Sequence, residues 1–286
     1  MIDLLATSPI FFISFVFVFS LLVGSFLNVV IFRLPVMMKN AWQDEVDFHI
    51  NGPEHKIERP VFNLVKPDST CPNCSHQIRA WENIPVISWL FLKGKCSNCK
   101  TSISARYPLI ELLTAGMSAW AAYQLGFNVV GISFVFATWL LVAMTFIDLD
   151  EMLLPDSLTL SLLWCGLIVS IFRTDLSTAD AIFGAVIGYM SLFSVYWGFK
   201  LLTGKEGMGY GDFKLLAALG AWCGWQQLPI IILLSSVVGA IVGLSLMAIK
   251  RQGGSYAIPF GPYLAAAGFL TVLYGDQIAQ WYLSTI

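Results

Sequence analysis

The chain has 286 residues, 57% of them hydrophobic and only 12% charged, with a formal net charge of −2. Soluble globular domains carry about 25% charged residues, so the composition excludes an ordinary soluble domain and implies an all-α polytopic membrane protein. No nucleic-acid partner is expected. The length allows one or two domains, and the pattern gives one membrane domain interrupted by one polar insert.

A bilayer-crossing helix needs about 17–25 apolar residues. The first such run covers residues 10–32. It lacks a basic flank, Asp3 being the only charge before it, and it is too long for a secretory signal core, so it reads as a retained span. A polar stretch follows over 33–107. Further apolar runs lie at 108–125, 129–148, 158–172, 181–202, 213–225, 229–249 and 260–274. The expected architecture is therefore about eight transmembrane helices: a first helix within 1–32, an insert at 33–107, and a membrane domain over 108–286 with the remaining seven. The 213–225 run is short and contains glycine, which suits a shortened or tilted helix.

The basic residues orient this arrangement. Ten of the sixteen Lys and Arg residues fall within 33–107, and Lys200, Lys205, Lys214, Lys250 and Arg251 fall on or beside loops of the same side. Only Arg173 falls opposite. Cytoplasmic loops carry the Lys/Arg excess, so the N-terminus is expected outside and the insert inside.

Four of the six cysteines lie in the insert as CPNC (Cys71, Cys74) and CSNC (Cys96, Cys99). Two C-x-x-C pairs at such a separation match a tetrahedral structural zinc site in a small zinc-ribbon-like module. A short insert with little core needs a staple of this kind. Rubredoxin-like iron and disulfides are the alternatives, the latter disfavoured on a reducing side. His76 reads as a surface residue, and His49 and His55 as isolated. Cys165 and Cys223 read as small packing residues within spans. Four thiolates leave no open position for hydrolytic chemistry, and no H-E-x-x-H is present.

Two aspartates stand out because a carboxylate at a bilayer edge is costly. Asp148, in TFIDLDEMLLPD, falls in the last turn of its span, where the negative end of the helix dipole opposes a carboxylate. Asp212, in GKEGMGYGDFK, opens another span, where the dipole favours one; a helix N-cap is its plainer reading. If the two helix ends meet, such opposed settings suit an acid–base pair, one group activating water and the other protonating the leaving amine. Asp150 and Glu151 read as loop solvation and Asp156 as the N-cap of the next helix. The run Gly207-Met-Gly209-Tyr-Gly211 lacks a preceding strand and a following Gly-Lys-Ser/Thr, so it is not a phosphate loop.

The GYGD run ending at Asp212, with Asp148 upstream in a D-x-D-x-x-x-x-P-D context, resembles the GxGD intramembrane aspartyl proteases. More narrowly, the chain is similar to bacterial type IV prepilin peptidases. The likeness runs in order through GSFLNVVIFRLP (24–35), the CPNC/CSNC module, RYPLIE (106–111), the two aspartate segments and PFGPYL (259–264). The resemblance implies an inner-membrane enzyme that cuts the basic leader from type IV prepilins or type II secretion pseudopilins and then N-methylates the new terminus with S-adenosylmethionine. It places the catalytic aspartates at Asp148 and Asp212 and the zinc ligands at Cys71, Cys74, Cys96 and Cys99, the metal being tied to methylation. A transporter would more often hold carboxylates near mid-span and leaves the cysteines unexplained. A non-catalytic assembly platform leaves the aspartates unexplained.

Overall fold

Apolar length and helix length part company at the first element. A computed structural model of the chain describes residues 2–52, 59–250 and 258–285, so His55 lies outside the described residues. After a short helix α1 (Ile2–Thr7), α2 (Pro9–Asn51) opens with Ser8 as its cap and Pro9 in its first turn. It does not stop where the apolar run stops at residue 32. It passes Pro35 and continues through Met37, Met38, Ala41, Gln43 and Glu45, all favourable in helices. Its 43 residues make a rod of about 65 Å, roughly twice the hydrocarbon thickness of a bilayer. Hydropathy therefore marks how far the helix can sit in lipid, and propensity sets where it ends.

The chain divides into two compact units, residues 1–120 and 121–286. In the first, α2 is followed by the cysteine module, which carries the short helix α3 (Ile87–Phe91), and then by α4 (Arg106–Leu125), which runs past the boundary between the units. Arg33, well inside α2, is buried, donating to the Asn63 carbonyl at 3.0 Å and the Pro67 carbonyl at 2.6 Å, with the Phe62 ring beneath it. Gly24 of α2 allows a close approach to α4: a Cβ there would lie 2.8 Å from the Glu111 Cα.

The second unit holds α5 (Val129–Glu151), α6 (Asp156–Ser170), α7 (Thr178–Thr203), α8 (Tyr210–Cys223), α9 (Leu228–Lys250) and α10 (Gly261–Thr285). Asn128 and Ser177 cap α5 and α7 by accepting the Gly131 and Asp180 N–H groups at 2.9 and 3.0 Å. Each of the eight apolar runs falls on a helix. Four helices, α2, α5, α7 and α9, are long and apolar enough to cross a membrane, and the chain is all-helical with no strands among the described residues. The exposed faces of α7 and α9 carry Phe183, Val186, Met190, Leu233, Ile241 and Leu244. Such continuous apolar surface belongs against lipid.

Helix α8 is the centre of this unit. Its fourteen residues span about 21 Å, less than the roughly 30 Å a crossing needs. The helix is wrapped by α6, α7 and α10, and Leu215 through Trp222 are all buried. The approach of α7 is close enough that a side chain on Gly184 would collide with the Gly220 carbonyl, the small-residue packing expected between membrane helices. Phe134 stacks on Phe269 at 5.5 Å and meets Trp222 at 5.4 Å, and the Trp222 indole donates to the Leu162 carbonyl at 3.0 Å. Arg173 donates to the Trp222 carbonyl at 2.6 Å. It thereby satisfies an orphan acceptor at the C-terminal end of α8, where a cation is favoured.

Candidate active site and metal centre

Asp148 sits in the last turn of α5 and is 5% exposed. The helix ends in Met152, whose N–H donates to the Asp148 carbonyl at 2.9 Å. Met152 has φ +51°, a left-handed conformation that costs a non-glycine residue energy and clusters at functional sites. The turn it makes sends Leu154 inward, where it is 7% exposed. Asp150 and Glu151 point to the exterior, as expected of loop-solvating residues.

Asp212 is buried as well, at 8% exposure. It is not the N-cap of its helix. Gly209 takes that position, and Asp212 is the third residue of α8, its N–H donating to the Gly209 carbonyl at 3.3 Å. The plain capping role is thus filled by backbone, and the carboxylate is left facing the protein interior. Lys200, pairing with Glu206 at 2.8 Å, fastens the loop that leads into this turn.

The two aspartates come together around Leu154. Gly211 packs on its Cβ, and Gly261 packs on its Cδ1 and on the Asp148 carboxylate. The Gly261 N–H, at the start of α10, donates to Asp148 Oδ2 at 2.9 Å in a buried hydrogen bond. Gly261, which touches Asp148, and Gly211, which precedes Asp212, thus both adjoin Leu154. Three helix ends, from α5, α8 and α10, therefore converge on one buried pair of carboxylates. Asp156 is not the N-cap of α6 either: Pro155 is, and Asp156 in the first turn binds Lys214 of α8 through both oxygens, at 2.6 and 2.7 Å.

Gly261, Leu154 and Lys214 lie within the quoted segments, but nothing in the sequence singles them out beyond the helix-start Gly-Pro step at Gly261; their roles depend on which helix ends meet.

In the first unit the four cysteines converge. The Sγ atoms of Cys71, Cys74, Cys96 and Cys99 all lie within 4.8 Å of one another, with Cys71–Cys99 at 3.7 Å and Cys74–Cys96 at 4.0 Å. Zinc–thiolate bonds of about 2.3 Å in a tetrahedron give sulfur–sulfur edges of roughly 3.8 Å, so the set fits a four-coordinate metal. All six cysteines are free thiols in the structure. Each pair is built alike: Cys71 and Cys96 accept from Ser75 and Lys100, both left-handed at φ +56° and +60°, and isolated bridges Thr70–Gln77 and Lys95–Ser102 close the turns.

The residue before the second cysteine of each pair reaches across. Asn73 donates to the Thr101 hydroxyl at 2.9 Å, and Asn98 donates to Cys74 Sγ at 3.7 Å. The Thr101 side chain and backbone, followed by Asn73, pull the Cys99 thiol down to about 5, favouring the thiolate a metal requires. His76 is no ligand, but neither is it a plain surface residue. Its Nε2 lies 3.2 Å from both Glu82 and Ser97, tying the first knuckle to the second. Between residues 59 and 105 only Cys71, Pro85, Gly94 and Cys96 are buried, so the thiols take the place of a hydrophobic core.

Comparison with known proteins agrees with this layout. Residues 18–125 match the model of the bacterial peptidase A24 N-terminal domain, and residues 134–244 match the type IV leader peptidase family. A prepilin leader peptidase/N-methyltransferase of Aeromonas hydrophila is 55% identical over 276 residues, covering 96% of this chain and 95% of that one. The chain belongs to the type IV leader peptidase family. A relative of the same description from Pseudomonas aeruginosa is 53% identical over 283 residues, covering 99% of this chain and 97% of the other. One from Stutzerimonas stutzeri is 55% identical over 282 residues, at 99% and 97% coverage. No solved structure matches the chain. The two family models meet the chain near the boundary between its compact units, the thiol cluster lying in one and the aspartates in the other.

Proposed function

We propose that the protein cleaves the basic leader from type IV prepilins and type II secretion pseudopilins by two-aspartate acid–base hydrolysis and then N-methylates the new terminus. The observation that carries this reading is the buried meeting of Asp148 and Asp212 at three helix ends. One carboxylate takes a proton from water as the oxygen attacks the scissile carbonyl. The other, as the neutral acid, gives a proton to the departing amine nitrogen, which closes the proton balance. One proton held by the pair supplies the two roles at once. The relatives whose names pair a leader peptidase with an N-methyltransferase support both activities.

The membrane setting belongs to the same proposal. All eight apolar helices, α8 included, form the membrane domain of an inner-membrane protein, with the N-terminus periplasmic. The concentration of ten of sixteen basic residues at 33–107 supports a cytoplasmic cysteine module. It also supports aspartates at the cytoplasmic face, where a substrate with a charged leader and a helical body presents its cleavage point. Cys71, Cys74, Cys96 and Cys99 would hold zinc, which when bound supplies a structural clamp on a module without a core, and S-adenosylmethionine is the methyl donor.

The test is co-expression of a prepilin with the wild type and with Asp148→Asn or Asp212→Asn, followed by mass spectrometry of the product N-terminus. Each variant keeps the size of the side chain and loses the proton carrier. Cleavage is expected to fall by about 10²–10⁴. Cleavage that persists in both variants overturns the proposal.

A further inference from the structure

The Asp148 carboxylate accepts a hydrogen bond from a residue outside both aspartate motifs. Helix α10 begins at Gly261, and its next residue is Pro262, which has no N–H to offer. The following two N–H groups are already engaged: Tyr263 and Leu264 both donate to the Phe260 carbonyl, at 3.1 and 3.2 Å. Of the four orphan donors that open a helix, Gly261 alone is left to point outward, and it points at Asp148 Oδ2 from 2.9 Å in a buried setting.

The approach leaves no room for a side chain. A Cβ on Gly261 would lie 2.7 Å from that same oxygen and 3.2 Å from Leu154 Cδ1. The glycine backbone is not left-handed, so torsional freedom is not the reason for it; closeness is. Leu154 cannot retreat to the other side, because its Cβ already rests on Gly211, the neighbour of Asp212.

We propose that Gly261 is a positioning residue for peptide cleavage: its N–H and its missing side chain set the rotation of the Asp148 carboxylate, leaving Oδ1 to face water and Asp212. The inference rests on the reading of Asp148 and Asp212 as the acid–base pair. A hydrogen bond from a rigid helix end fixes a carboxylate more closely than a loop would. A displacement of about 1 Å in such a group can cost about 10²-fold in rate.

The experiment compares the wild type, Asp148→Asn, Gly261→Ala and the double variant Gly261→Ala/Leu154→Ala, each as full-length protein in detergent. It measures kcat, KM and pH profile for prepilin cleavage, alongside methylation of a prepilin already cleaved. Wild-type cleavage that Asp148→Asn abolishes establishes the parent reading independently of Gly261. Gly261→Ala is then expected to lower kcat about 10²-fold and to displace one limb of the pH profile. KM and methylation of the cleaved substrate should stay within about twofold. The double variant opens space on the leucine side but leaves the added methyl against Oδ2, so its kcat is expected to remain low.

Three results overturn the inference: Gly261→Ala cleaving like the wild type, losing rate with an unmoved pH profile, or recovering when Leu154 is trimmed. The last would mean that Gly261 spares the leucine and not the carboxylate. If Gly261→Ala alone fails to fold, the double variant carries the same test.

Discussion

The three glycines of Gly207-Met-Gly209-Tyr-Gly211 look equivalent in sequence, and the structure ranks them. A Cβ on Gly211 would lie 2.6 Å from the Cβ of Leu154, where ordinary carbon contacts are about 3.5–4.0 Å. The missing 1 Å cannot come from a rotamer change, because a Cβ moves only with its backbone. That backbone is the 152–155 turn, anchored to the end of α5 beside Asp148. A Cβ on Gly209 meets nothing nearer than Asp212 Oδ2 at 3.9 Å, an ordinary contact, and one on Gly207 meets the Phe199 ring at 3.0 Å. That ring is half exposed and can swing away.

Gly211→Ala is therefore expected to cost about 1–3 kcal/mol of stability through overpacking and about 10²-fold in cleavage rate. The latter is about 2.7 kcal/mol of activation free energy. Gly209→Ala should stay within a few-fold of wild type, with Gly207→Ala between them. The assay is the initial rate of prepilin cleavage at saturating substrate, with metal content of the cysteine module as the control for folding. If Gly209→Ala loses as much rate as Gly211→Ala, packing on Leu154 is not what the motif's glycines serve.

Two further outcomes follow from the same geometry. Cys71→Ser removes one of four converging thiolates, so metal measured by elemental analysis should be lost and the module should become protease-sensitive, while leader cleavage survives; full metal retention refutes the ligand assignment. Arg173→Met strips the cation from the Trp222 carbonyl and from Asp175, leaving a helix-end acceptor without its donor, at a cost of about 1–3 kcal/mol. The thermal midpoint should drop while cleavage at permissive temperature is kept, and an unchanged midpoint would show that water serves that carbonyl equally well.

Much of the candidate site is legible in the sequence for identifiable reasons. Asp148 and Asp212 stand out because a charge inside an apolar run is costly wherever the run folds. Cys71, Cys74, Cys96 and Cys99 stand out because a C-x-x-C turn brings two sulfurs together through local geometry alone. The positions of the eight apolar helices follow from run length. Other readings fail where the deciding contact is remote in sequence. Asp156 and Asp212 resemble N-caps, yet Pro155 and Gly209 take those places, and Asp156 faces a lysine fifty-eight positions away. His76 has no visible partner until Glu82 and Ser97 fold around it.

By itself, then, the sequence determined composition class, helix periodicity, the thiolate pairs and the two anomalous carboxylates, because each depends on neighbours within a few turns of chain. Only the tertiary structure decided that α6, α7 and α10 enclose the short α8. The same is true of Leu154 wedged between Gly211 and Gly261, and of the N–H of α10 that reaches Asp148 across 113 positions. Those contacts come from the packing of helix ends, and no local pattern of residues encodes which ends will meet.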